Sequence, residues 1–196
     1  MAEKKRKDYV GERLIKIGNG YFGRIDVIHD VIIRGNNNSC NITAKDGVVI
    51  QMNNDSSHIE TMGEVIIGGN NDSGDISAQG NITILRNNVS CDISTNGKVV
   101  IYGDNDSGDI TTKEDVIIGG NNESCDIITE GNIIIYGDNS SGRIETKGNV
   151  IIYGDFLEGE IIADSVIVEG NANKNTKIQA KKVTVKGKLK LAPKLN

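Results

Sequence analysis

The apolar residues of this chain keep a 17-residue period. Ile25, Ile42, Ile59, Ile76, Ile93, Ile110, Ile127, Ile144, Ile161 and Ile178 follow one another at that spacing without a slip. An apolar pair keeps the same period at Val31/Ile33, Val48/Ile50, Val65/Ile67, Ile82/Ile84, Val99/Ile101, Val116/Ile118, Ile133/Ile135 and Val150/Ile152. It continues one residue early at Val166/Val168 and Val183/Val185. A period this short and regular predicts one structural coil stacked on itself about ten times.

Residues 65–81 illustrate a coil. Val65-Ile66-Ile67 is β-branched and reads as a strand. Gly68, Gly69 and Asn70 are turn residues, because Gly and Asn accept positive φ at little cost. Asp75–Ala78 reads as a second short strand, Gln79–Asn81 as the next turn, and Asn71–Gly74 as a third short face. The predicted fold is all-β: a single-domain parallel β-helix, or β-solenoid, of triangular cross-section over residues 13–191. A disordered basic tail, 1–12, precedes it and a short tail, 192–196, follows it.

Stacked coils turn equivalent residues into columns. Alternation puts Ile76 and Ala78 on the core side, so Ala44, Thr61, Ala78, Thr95, Thr112, Thr129, Thr146, Ala163 and Ala180 form a small inward column. Asn37, Asn54, Asn71, Asn88, Asn105, Asn122 and Asn139 form a column of amides expected to bond coil to coil. The adjacent column Ser39, Ser56, Ser73, Ser90, Ser107, Ser124 and Ser141 reads as polar glue at the same corner. The residue between each inward pair must point outward. These are Ile32, Val49, Ile66, Thr83, Val100, Ile117, Ile134, Ile151, Ile167 and Thr184. They predict an apolar stripe along one face, roughly 45 Å long at ~4.8 Å per coil, with Tyr102, Tyr136 and Tyr153 beside it. A patch of this extent marks an interaction surface more often than strand propensity alone. Ile66, Val100, Ile117, Ile134 and Ile151 are its candidate lateral contacts.

Composition sharpens this picture. Trp is absent, Phe occurs twice, Pro once and Gly 24 times, so the core must be aliphatic. No apolar run approaches the ~18 residues of a membrane span, and MAEKKRKDYV lacks a signal-peptide core, which predicts a cytoplasmic protein. Cys91 and Cys125 should sit two coils apart, ~9–10 Å at one strand spacing per coil, too far for a disulfide. Cys40, Cys91 and Cys125 therefore read as small buried thiols. The net charge of −5 conceals an asymmetry: residues 171–196 hold eight Lys and no acid, and residues 1–7 carry +3. The remaining body carries −16, which argues against nucleic acid along the flank.

No constellation supports catalysis. The two histidines, His29 and His58, have no neighbour at metal-ligand spacing. The 17-residue coil differs from the hexapeptide coils of acyltransferases, and Gly68–Asp75 departs from calcium-binding nonapeptides at Asn71 and Ser73. Asp75, Asp92, Asp109 and Asp126 stack in one column, where either solvent or a bridging cation would relieve repulsion; solvation is the favoured reading. No cofactor and no small-molecule substrate is expected.

The ends of a parallel stack carry unpaired backbone groups. The sequence shows no helical cap, and Leu14, Ile15, Ile17, Tyr21, Phe22, Val183, Val185, Leu189 and Leu191 are the candidate end-to-end contacts. The C-terminal lysines oppose contact between two such ends at low salt.

Residues 142–155, GRIETKGNVIIYGD, and 159–170, GEIIADSVIVEG, give the cadence G-x-I-x-A/T…V-x-I-x-G, which runs over about residues 23–187. This pattern resembles the bactofilin family, the polymer-forming cytoskeletal proteins of bacteria. The resemblance implies a right-handed β-helix, nucleotide-free assembly through coil ends into a homopolymer, and weak membrane-surface contact through the N-terminal tail. The expected function is thus a structural protein that self-assembles into filaments or scaffolds. The alternative is a passive solenoid rod or binding spacer that does not polymerise.

Overall fold

The structure, a computed structural model, describes residues 8–16 and 23–189. Those residues form strands and turns and no helix. Most coils hold three short strands, as in Val65–Ile67, Asn71–Asp72 and Ile76–Ser77. Each pairs in parallel with its equivalent one coil away: Val65 lies beside Val48 and Ile82, Asn71 beside Asn54 and Asn88, and Ile76 beside Ile59 and Ile93. The β-solenoid expected from the 17-residue period is the fold observed.

The stack begins earlier than residue 13. Tyr9–Gly11 is a strand paired with Arg24–Val27, with Tyr9 beside Ile25. Those partners are 16 residues apart, one short of the period, so the repeat alone assigned this strand to the tail.

The core is a column of isoleucine and valine. Ile25 through Ile161 at the 17-residue positions, and the inward pairs from Val31/Ile33 to Val166/Val168, are at most 1% exposed. Polar groups buried with them are satisfied between coils. Asn37 Nδ2 donates to Asn54 Oδ1 at 2.8 Å, and the relay continues through Asn71, Asn88, Asn105 and Asn122 to Asn139. From Asn37 to Asn122, each of these amides also donates to a carbonyl three residues on, which closes its own corner. Beyond Asn139 the column turns apolar at the buried Phe156 and Ala172. The inward threonines bond the preceding coil: the hydroxyls of Thr61, Thr112, Thr129 and Thr146 donate to the carbonyls of Asp46, Gly97, Glu114 and Gly131.

The serine column does something other than glue the corner. Ser39, Ser56, Ser73, Ser90, Ser107 and Ser124 have φ between 53° and 59°, a left-handed conformation rare outside Gly, Asn and Asp. Each one swings the chain out of the short asparagine strand and into the next isoleucine strand. Near the C-terminal end the positive φ moves one position on, to Gly142 and Gly159 at 103° and 118°. The following position must be small. A Cβ at Gly74 would lie 2.0 Å from the Ser57 carbonyl oxygen. Cys40, Cys91 and Cys125 occupy this column, buried and not joined by disulfides. The Gly74 and Gly108 N–H groups donate to the Cys91 and Cys125 sulfurs at 2.9 and 3.2 Å.

Candidate interaction surfaces

The outward stripe is continuous. Val100 lies in register with Thr83 and Ile117, Ile117 with Ile134, Ile134 with Ile151, and Ile151 with Ile167. Ile66, Val100, Ile117, Ile134 and Ile151 are half-buried, because each covers its neighbours in the column. Parallel in-register pairing leaves their outer surface as an aliphatic ridge. Between Ile117, Ile134 and Ile151 and the turn residues Asp115, Asn132 and Asn149 runs a groove of about 300 Å³.

Two residues beyond the stripe, just past the end of each strand, lies a column of projections and gaps. Leu85, Tyr102, Tyr136 and Tyr153 are 48%, 63%, 55% and 48% exposed. The Tyr136 and Tyr153 rings stack at 5.0 Å and 4°. Gly68 and Gly119 occupy the same column. A Cβ at either would meet the carbonyl oxygen of Gln51 or Tyr102 at 2.1 or 2.2 Å, so the stack itself keeps these gaps open.

The aspartate column has a structural role that its spacing did not reveal. Asp75, Asp92 and Asp109 each accept, through Oδ1, the backbone N–H of the next aspartate in the column at 2.8–3.1 Å, and Asp126 accepts that of Arg143 at 2.6 Å. Backbone dipoles thus offset the like charges. Asp75, Asp92 and Asp109 border an open groove of about 790 Å³ with Arg24, His58 and Glu60. His58 faces Asp75 at 3.5 Å and His29 faces Asp46 at 2.9 Å, both on exposed surface. Among the described residues no three His, Cys, Asp or Glu side chains converge on a metal position. A second such spine was missed in the sequence: Asn36, Asn53, Asn70, Asn87, Asp104, Asn121, Asp138 and Asp155 each accept the N–H of the next turn. On the short asparagine strands Asp72 stacks on Asp55, and burial followed by the Asp55 charge raises its pKa.

The end residues divide. Leu14 is buried beside Val31, whereas Ile15 pairs with Ile32 and so begins the outward stripe, at 53% exposure. At the other end Thr176–Val185 pairs with Gly159–Val168 along one edge, and among the described residues nothing pairs with the other. There Val183 and Leu189 are 45% and 48% exposed and Val185 is half-buried. Ile17, Tyr21, Phe22 and Leu191 lie outside the described residues. No helix among the described residues is long and apolar enough to cross a membrane. No family model matches the chain, and no curated protein or solved structure matches it.

Proposed function

We propose that this chain is a structural protein whose rods self-assemble into filaments or scaffolds, a bactofilin-like cytoskeletal element. The observation that carries this is the terminal strand Thr176–Val185: ten residues of backbone paired on one side, beside the exposed Val183 and Leu189. An open strand edge of that length is a template for another strand. The outward stripe supplies a second, lateral surface. In this role the protein acts in the cytoplasm as a homopolymer without cofactor, substrate or nucleic acid, and the basic residues of the N-terminal tail make weak contact with an anionic membrane surface.

One observation favours the passive rod instead. Lys177, Lys181 and Lys182 lie on the terminal strand itself, and lysine on an edge commonly blocks pairing. Negative-stain micrographs of the purified chain separate the two readings. Filaments are expected, shortened in V183K/V185K while circular dichroism stays that of the wild type. Single rods at every concentration, or filaments of normal length in that variant, would defeat assembly through this end.

A further inference from the structure

We infer that the outward stripe binds a second copy of this chain running antiparallel, the ten rungs from Ile32 to Thr184 overlapped and the two-fold axis passing between the Tyr102 and Gly119 coils. This deepens the self-assembly reading and rests on it. A two-fold axis along the strand direction keeps each residue's position along its strand and reverses the order of coils. The stripe therefore faces the stripe, and the tyrosine column faces the tyrosine column. In this register the ten rungs from Ile32 to Thr184 face one another, and Ile15, the first rung of the stripe, projects past the partner's last coil.

The side chains select this register. Tyr102 of each copy meets the gap at Gly119 of the other, Tyr153 meets the gap at Gly68, and Tyr136 meets Leu85. The stripe pairs Val100 with Ile117, Ile66 with Ile151 and Val49 with Ile167. On the turn before each strand, Lys98 faces Asp115 and Lys182 faces Asp30, each twice by symmetry. The one like-charged pair is Arg34 with Lys186, and Lys186 is already bonded to Glu169 at 2.7 Å. A slip of one coil spoils the match in either direction. One slip sets Tyr102 on Tyr102 and Lys98 on Lys98; the other sets Tyr102 on Tyr136 and Asp115 on Asp115. At ~4.8 Å per coil and ~3.3 Å per residue, ten coils by five residues is roughly 800 Å² per partner, the size of a standard stable interface.

Single cysteines at the stripe's two ends read the register. Ile32 and Thr184 face each other across this dimer, while the two copies of Ile32 are nine coils, ~43 Å, apart. An oxidised mixture of I32C and T184C chains should yield a covalent heterodimer, and neither variant alone should cross-link. The native thiols are buried and stay silent. Lys98→Glu should weaken association about tenfold at low salt, since two cross-rod pairs turn repulsive. I117K/I134K should abolish association with the coils intact. Self-cross-linking of I32C would mean parallel rods and overturn the proposal. If I117K/I134K abolishes association but the mixed cysteines do not link, this register is wrong and lateral self-association stands. If I117K/I134K leaves sedimentation unchanged where wild type associates, the stripe is not a self-association surface and assembly through the terminal strand still stands; if wild type does not associate at any concentration, both readings fall.

Discussion

Replacing Asn88 by Ala removes a link from the middle of the amide relay. Asn88 is fully buried; its Nδ2 donates to Asn105 Oδ1 at 2.9 Å and to the Cys91 carbonyl at 2.7 Å, and its Oδ1 accepts from Asn71 Nδ2 at 2.9 Å. Three hydrogen bonds at about 1 kcal/mol each disappear, and the buried Asn105 Oδ1 loses its donor at about 1–3 kcal/mol, so the expected loss is ~4–6 kcal/mol. Asn139 is the control. It accepts from Asn122 at 2.8 Å, donates only a long 3.5 Å bond to the Ser141 carbonyl, and lies in register with the buried Phe156 on its far side. Asn139→Ala orphans no acceptor further along and should cost about 1–2 kcal/mol. Urea titrations followed by far-ultraviolet circular dichroism give both values, and hydrogen exchange locates any local opening in a repeat stack that need not unfold in one step. Equal losses at the two positions would show that the relay is not what the coils depend on, and that any small side chain fills this corner.

Two further outcomes test the corner itself. Ser90→Gly should raise stability by roughly 0.5–1 kcal/mol, because a non-glycine residue at φ 53° carries about 1–2 kcal/mol of strain and glycine returns only part of that as chain entropy; a lower urea midpoint would show that the hydroxyl matters more than the backbone. Burial, chiefly by desolvation, pushes the Cys91 and Cys125 thiols from 9.0 up to about 11, so thiol reagents at pH 8 should label them only after denaturation. Since these groups hold their protons more tightly when folded, their contribution is complete below pH 9 and is lost as pH rises from 9 through about 11; stability that is flat across that window would contradict the assigned burial.

The fold was legible because periodicity survives without any knowledge of geometry. The Ile column, the outward stripe and the asparagine relay all follow from spacing, since a parallel in-register stack puts identical residues in contact. What spacing cannot carry is backbone conformation. The serine column looked like polar glue because its composition is polar; its left-handed φ is invisible in the letters, where Gly or Asn is the usual sign of such a turn. The aspartate column suggested repulsion because the backbone N–H that each carboxylate accepts has no signature in sequence. Tyr9 was lost to the tail because its partner stands 16 residues away. The tyrosines beside the stripe were legible as a group, but Gly68 and Gly119 became gaps only once the column was in place.

The C-terminal coils are built to a different rule, which bears on assembly. Between Thr146 and Val150 the corner holds three residues, Lys147, Gly148 and Asn149; between Ala163 and Val166, and again between Ala180 and Val183, it holds two. With one residue fewer the chain rounds the corner without a turn, and two short strands fuse into the ten-residue strands Gly159–Val168 and Thr176–Val185. The change coincides with two others. The amide relay gives way to Phe156 and Ala172, and the charge turns from acidic to the eight lysines beyond residue 170. Long strands and an apolar column make the open edge more adhesive, whereas Lys181 and Lys186, ion-paired to Asp164 and Glu169 at 2.7 Å, anchor part of that positive charge to the coil beneath. The unpaired remainder, Lys174, Lys177, Lys182 and Lys188 among the described residues, stays exposed or half-exposed around the end. An adhesive edge ringed by one sign of charge associates with its own kind only when that charge is screened. Contact through this end should therefore strengthen with salt, while the stripe, whose cross-rod pairs join lysine to aspartate, should hold best at low salt.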